Sequence, residues 1–456
     1  MLDPILSYVQ SCQTRFLDEL IEFLRIPSIS TLPEHRADMD RAAVFVRAQM
    51  EAAGLENCRM IATSGPPLVY GDWLHAANAP TILCYGHYDV QPPDPLPEWL
   101  SQPFDPTLRD EQIYARGAAD DKGQMFGFLK AAEAWLKTES GLPVNLRVLI
   151  EGEEEVGGAG IEQFVRDHAG ELTSDAVLVC DTTMFAPDLP TIDVGLRGMV
   201  YAEVHAIGAA SDLHSGLYGG VAPNPLEALA RIIAELKQAD GKISIPGFYD
   251  QVRTPSVAER SSWLRLPFNE EEYRRGEVRA EALTGEVGYS ALERTWVRPT
   301  LEVHGIPGGF TGQGAKTVIP ARAAAKISMR LVPDQRPADI YAAFERHVQA
   351  LAPKGVTVTT KLLNTADPVV VDPDDRFVQA AAAALHEVFG KPPVFVRSGG
   401  SIPIVAMFSG VLHAPTVMMG FALADCGAHA PNEKLPIANY YRGIASIIRF
   451  FAHAAR

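Results

Sequence analysis

Pro80-Thr81-Ile82-Leu83-Cys84-Tyr85-Gly86-His87-Tyr88-Asp89 is the stretch that decides the fold class of this chain. A short apolar run without polar alternation reads as a strand buried on both faces, the habit of parallel sheets covered by helices. Polar residues arrive only at its end. His87 and Asp89 are two apart, so in an extended segment they share one face. Ligands of open α/β sheets gather at the carboxyl ends of strands, so that placement already points to a site.

The same pattern continues outward. Upstream, Ile5, Val9, Phe16, Leu20 and Phe23 recur at near-helical spacing and predict one amphipathic helix ended by Pro27. A second helix is expected over 40–53, stopped by Gly54. Downstream, 124–137 reads as a helix with Met125, Phe128, Ala132 and Trp135 on one face. Val144, Leu146, Val148 and Ile150 alternate as a strand, and 176–180 is a further short apolar strand. Strands alternating with helices predict an α/β domain with a largely parallel sheet.

Near Gly195 the texture changes. A strand over 200–205, a helix marked by Leu226, Leu229, Ile233 and Leu236, and a strand with Ile327, Met329 and Leu331 follow. A helix marked by Ile340, Phe344, Val348 and Leu351 and a last strand at Val356 and Val358 complete a β-α-β-α-β order. It predicts a second α/β domain inserted into the first, with boundaries 1–192, 193–365 and 366–456. The charged, irregular segment 240–300 yields no assignment. A closing helix is expected over 440–451.

The 456 residues are 47% hydrophobic and 21% charged, a globular profile too long for one ordinary domain. The net charge of −16 is repelled by nucleic acid and by anionic membranes, so neither is an expected partner. Cys12, Cys58, Cys84, Cys180 and Cys426 are scattered, odd in number and without CxxC spacing. That argues against a disulfide framework or zinc knuckle and suits a reducing cytoplasm. The N-terminus has no basic region followed by an apolar core, so no signal peptide is expected. Residues 398–424 lack Asp, Glu, Lys and Arg, but their glycines and prolines suit buried strands and turns better than a membrane helix.

Further acidic clusters follow the strands. Asp120-Asp121 lies in Arg116-Gly117-Ala118-Ala119-Asp120-Asp121-Lys122-Gly123, just before a helix. Adjacent carboxylates crowd charge unless a cation sits between them, although Asp is also an ordinary helix cap. Glu151-Gly152-Glu153-Glu154-Glu155 places four glutamates in five positions after an apolar strand, where packing does not explain them. Asp181 follows Cys180, and far downstream His429 lies in Gly427-Ala428-His429-Ala430-Pro431. Two histidines and several carboxylates at strand ends supply the mixed nitrogen and oxygen ligands that zinc or manganese accepts.

In order and spacing these segments resemble the M20 family of metallopeptidases, within it the carnosinase-like cytosolic dipeptidases, over nearly the whole chain. The resemblance rests on GHYDVQP (86–92), ARGAADDKG (115–123), EGEEEVGG (151–158), DLHSGLYGG (212–220), GAKTVIP (314–320), RLVP (330–333), GGSIP (399–403) and GAHAPNEK (427–434). It implies two divalent metal ions, zinc or manganese, in each subunit. His87 and Asp181 would hold one, Glu155 and His429 the other, and Asp120 would bridge them. Asp89 would orient His87, and Glu154 would be the general base for a metal-bridged hydroxide. Arg330, Ser401 and Thr317 would form the substrate end. The family's catalytic domain is split around a lid that also dimerises, and His214 of that lid would reach the active site of a partner subunit. Three glutamates run together here, Glu153 to Glu155, and Val156-Gly157-Gly158 sets the register that selects the last two. Asp at 181 is the choice of relatives acting on dipeptides, where carboxypeptidases and deacylases tend to carry Glu.

The charges agree. Asp120, Glu155 and Asp181 bring −3 against +4 from two divalent ions, and the remaining +1 favours hydroxide over water. The expected function is therefore hydrolysis of an amide bond in a dipeptide or small peptide with a free carboxylate, by a cytoplasmic homodimer. The alternatives are an N-acyl amino acid deacylase or a carboxypeptidase of the same family. A serine hydrolase is disfavoured because no GxSxG elbow is present. Cys426 near His429 keeps a thiol nucleophile as a distant rival, and a non-catalytic metal-binding scaffold is another.

Overall fold

The structure is a computed structural model, and it describes residues 2–138, 141–400 and 402–456. Contacts divide it into two compact units. The first comprises 1–194, 371–396 and 403–456; the second comprises 195–370 and 397–402. The chain is mixed α/β, and its large sheet has a parallel centre.

In the first unit the strands run in the order Glu56–Ile61, Leu68–Trp73, Asn145–Glu151, Thr81–His87, Ala176–Val179 and Thr416–Met418. The last four are mutually parallel. Their side chains are almost all buried, as an unalternating apolar run requires: Ile82, Leu83, Cys84 and Tyr85 are fully covered, and so are Val177, Leu178 and Val179. Because these strands run the same way, His87, Glu151 and Val179 end at the same edge.

Helix Lys122–Thr138 packs on Thr81–His87 and between helices Arg36–Ala53 and Ile437–Ala454. Arg36–Ala53 stops at Gly54, whose φ of 103° is left-handed. The expected single N-terminal helix is two, Asp3–Ser11 and Gln13–Leu24, broken at Cys12. All five marker residues are nonetheless buried. The break lets both short helices lie on Lys122–Thr138 rather than only one of them. Buried Lys122 donates from Nζ to the carbonyls of Ile26 (2.7 Å) and Phe23 (3.3 Å), fastening the start of its helix to the end of Gln13–Leu24.

The second unit is an antiparallel sheet in the order Thr300–Gly305, Arg322–Leu331, Gly198–Ile207 and Thr357–Ala366, with helices Pro225–Glu235 and Pro337–Ala350 against it. Val200, Ala202, Val204 and Ala206 face its core with Ile327, Met329 and Leu331. The period of two is the strand signature read from the sequence; the antiparallel pairing was not legible there. Segment 240–300 is not structureless. It holds helices Val257–Trp263, Glu270–Tyr273 and Ala291–Trp296, and Ser256/Glu259 and Ser290/Glu293 form capping boxes. Buried Arg298 forks onto Glu286 (2.7 and 2.9 Å) between the rings of Tyr249 and Tyr289. Among the described residues no helix is long and apolar enough to cross a membrane.

Gly123 opens the Lys122–Thr138 helix where no side chain fits. A Cβ there would meet the Ala118 carbonyl oxygen at 2.0 Å and Leu435 Cδ2 at 2.9 Å. Gly123→Ala is expected to destabilise the protein by about 1–3 kcal/mol, as overpacking does. A lowered denaturant midpoint at unchanged slope checks this; an unchanged midpoint contradicts it.

Candidate metal centre

Each strand end delivers one part of the site. Thr81–His87 ends in His87, which is fully buried. Asp120 lies two residues before the Lys122–Thr138 helix, whose amide dipoles favour negative charge at its start. Glu154 and Glu155 follow Asn145–Glu151 in a single helical turn, and Asp181 lies just past Ala176–Val179. His429 takes a left-handed φ of 59° in the loop after the last parallel strand.

These side chains converge on Asp120. Its Oδ1 lies 3.1 Å from His87 Nε2 and its Oδ2 lies 2.9 Å from His429 Nε2. Asp181 Oδ2 is 3.8 Å from His87 Nε2, and Glu155 Oε2 is 3.2 Å from His429 Nε2. His87, Asp120 and Asp181 therefore form one group able to hold a cation, and Asp120, Glu155 and His429 a second, with Asp120 common to both. Ligand atoms at roughly 2.0–2.1 Å from a tetrahedral zinc stand about 3.3 Å apart, close to these separations.

The electrostatics call for positive charge. Burial opposes protonation of His87, but Asp120, Asp89 and Asp181 outweigh it and raise its pKa well above the usual imidazole value. Hydrogen bonds to Asp120 and Glu155 raise His429 to about 10. Burial and the neighbouring Asp121 and Asp120 raise Asp181 well above the carboxylate range. Asp120 runs against its burial, because His429 and His87 hold it ionised. Protons on the imidazoles thus stand where cations fit the donor set. Burial, then Glu155, Asp89 and Asp120, lift Glu154 to about 7, against the pull of His87. A carboxylate near neutrality suits proton transfer, and cations among these acids act in the opposite direction.

Asp89 does more than face the imidazole. His87 Nδ1 has the Asp89 carbonyl at 3.1 Å and its Oδ1 at 3.3 Å, while Asp89 Oδ2 accepts from the Glu155 amide at 3.2 Å. One side chain so links a residue of each group. Gln91 donates to Glu155 Oε2 at 2.7 Å, and Asp121 Oδ2 accepts from the His87 amide at 3.2 Å. Both residues stand within the motifs of the sequence, but neither contact is legible there. The same holds of Arg116 and Glu433, both fully buried. A lone arginine among small residues, in Ala115-Arg116-Gly117-Ala118-Ala119, was the available signal.

The other expected residues lie in the second unit. Exposed His214 stands on a two-residue strand paired with Val318–Ile319, and the Ser215 amide donates to the Thr317 carbonyl, so His214 and Thr317 are neighbours. The Gly216 amide donates to His214 Nδ1 (2.9 Å), which leaves the ring proton on Nε2. Arg330 is half-buried between buried Met329 and Leu331. Burial, then the charge of nearby Arg330, lower Arg197 to about 10. Arg197 Nε donates to the Gly399 carbonyl at 2.9 Å. Arg197 is thus held against Gly399, with the charge of Arg330 near it. Ser401 lies outside the described residues.

The profile of peptidase family M20/M25/M40 matches residues 83–453. The chain is 32% identical to the Cys-Gly metallodipeptidase DUG1 of Candida albicans, over 98% of this chain and 96% of that protein. It is 30% identical to the human Beta-Ala-His dipeptidase, over 100% of this chain and 93% of that protein. The solved structure of an M20 family metallo-carboxypeptidase from Sulfolobus solfataricus is 31% identical and superposes with a TM-score of 0.86, covering 96% of this chain and 99% of that one. With a match over most of its length and the family's ligand types gathered at one sheet edge, this chain belongs to the M20/M25/M40 family of peptidases.

Proposed function

We propose that this protein is a dinuclear metallodipeptidase, hydrolysing the amide bond of dipeptides and similar small peptides that carry a free carboxylate. The observation that carries the reading is the shared carboxylate, Asp120, with one oxygen toward His87 and the other toward His429. Two divalent ions held there, zinc or manganese by the nature of the donors, would supply Lewis acidity, lowering the pKa of water toward roughly 7 and polarising a carbonyl. His87 and Asp181 would hold one ion, Glu155 and His429 the other. Asp89 fixes the tautomer of His87, so that Nε2 offers its lone pair. Glu154 takes the proton from the attacking water and passes it to the leaving amine. Arg330 grips the substrate carboxylate with two parallel hydrogen bonds, with Thr317 and Ser401 supplying hydroxyls at that end. His214 donates from Nε2 to the developing oxyanion. We place the enzyme in the cytoplasm, where its five unbridged cysteines suit the reducing medium.

A carboxypeptidase is the second reading, favoured by the likeness to the Sulfolobus enzyme. Substrate length and ends separate the two. Free dipeptides are expected to be turned over faster than N-blocked tripeptides, and C-terminally amidated dipeptides poorly. Equal turnover of free and amidated dipeptides contradicts the role of Arg330, and a preference for N-blocked tripeptides selects the carboxypeptidase.

Glu154→Gln is expected to keep both metals and lose about 10²–10⁴ in kcat. Glu155→Gln should instead weaken metal binding. Metal analysis beside single-turnover rates checks the pair, and the opposite pattern shifts the register of the acidic run by one residue.

We also propose that the enzyme is a homodimer whose sites are completed by the partner's copy of this histidine. Glu154→Gln and His214→Ala proteins should each be nearly inactive. Unfolded and reassembled together, random pairing returns about a quarter of wild-type activity, because half the dimers are mixed and each has one intact site. If both residues act within one chain, the mixture stays inactive.

A further inference from the structure

The sheet edge delivers ligands from segments far apart in sequence, and something must hold those segments in register. Two fully buried charged side chains reach the three that carry His87, Asp120 and His429. Glu433 Oε2 accepts from Arg116 Nη1 (2.7 Å) and from the Gly117 amide (2.8 Å). Its Oε1 accepts from the amides of Ala119 (2.8 Å) and Asp120 (3.0 Å). Arg116 Nη2 donates to the carbonyls of Pro92 (3.3 Å) and Ala430 (3.2 Å). Pro92 lies three residues beyond Asp89, and Ala430 adjoins His429. The Ala115 amide donates to the Glu433 carbonyl, and Lys434 pairs with Tyr114, so the backbones of the second and third segments are joined as well.

We infer that the Arg116–Glu433 pair is the positioning unit of the two-metal centre, setting the backbone of the shared ligand Asp120 and the seat of His429 before any metal arrives. This rests on the two-metal reading above. Neither residue is itself a ligand. Four donors already occupy the oxygens of Glu433, and a guanidinium has no lone pair to give a cation. A purely stabilising role explains the geometry poorly. A buried ion pair is weak evidence for stability, since well-packed apolar residues often replace one without loss. Apolar replacements would leave the Gly117, Ala119 and Asp120 amides unanswered and the turn free to shift. Asp120 must reach two histidines with two oxygens, so a shift that repairs one contact spoils the other.

The test uses full-length protein with cobalt(II) as the probe. Arg116→Lys keeps the charge but loses the fork, and Arg116→Gln/Glu433→Gln removes both charges without leaving one unpaired. Cobalt affinity is read by chelator competition, the visible d–d spectrum reports ligand geometry, and the melting of metal-free protein reports folding. Folded variants should bind both ions about 10–100-fold more weakly, as loss of outer partners typically does, with altered visible bands and a fall in kcat rather than a rise in KM. Wild-type affinity and spectrum in the variants overturn the inference, however far melting falls. If the unmutated protein itself fails to take up two cobalt ions, the two-metal reading falls first and the inference with it. Should both variants fail to fold, hydrogen exchange on metal-free wild-type protein decides. Gly117, Ala119 and Asp120 amides protected equally with and without metal support the positioning unit, and free exchange before metal addition overturns it.

Discussion

One carboxylate facing two imidazoles is the constraint on which the first unit depends. Asp120 meets both histidines while Asp89, Asp121, Glu154, Glu155 and Asp181 crowd the same sheet edge. Like charges a few ångströms apart in a buried setting are untenable without compensation. Protonated imidazoles provide part of it, as the raised His429 and His87 indicate. A pair of divalent cations would provide more, and the donor set fits such a pair.

The scaffold meets that constraint with ordinary means. Parallel strands whose side chains are buried throughout are stiff and end together, so ligands placed one or a few residues past those ends arrive close to one another. The start of a helix sits behind the two aspartates and favours their charge. Asp89 contacts a residue from each ligand group, so displacement of one side of the centre is felt on the other. Such coupling suits a chemistry that depends on two ions acting on one bond.

The second unit follows a different logic. Its antiparallel sheet buries one face under two helices; His214 stands exposed on a two-residue strand, whereas Arg330 is half-buried on the strand Arg322–Leu331. His214 has its tautomer set by a backbone amide, and Arg197, with the charge of Arg330 near it, donates to the Gly399 carbonyl.

Local chemistry carried much of this into the sequence. Apolar runs of strand length, a period of 3.6 or 2, and glycine at a helix end are short-range signals, so the parallel strands, most helices and the acidic and histidine clusters past the strand ends were legible residue by residue, while the choice of five ligand candidates within those clusters rested on the family resemblance. The Ser256/Glu259 and Ser290/Glu293 capping boxes were legible too, although the charged texture of 240–300 hid them. Tertiary structure alone decided the break at Cys12, the antiparallel pairing of the second sheet, and the convergence of Asp120 with His87 and His429. It alone joined Arg116 to Glu433 across more than three hundred residues. Period and capping depend on neighbours within a turn or a strand, and those are written along the chain. Which buried charge meets which depends on packing between distant segments, and only the folded chain brings them within reach of a hydrogen bond.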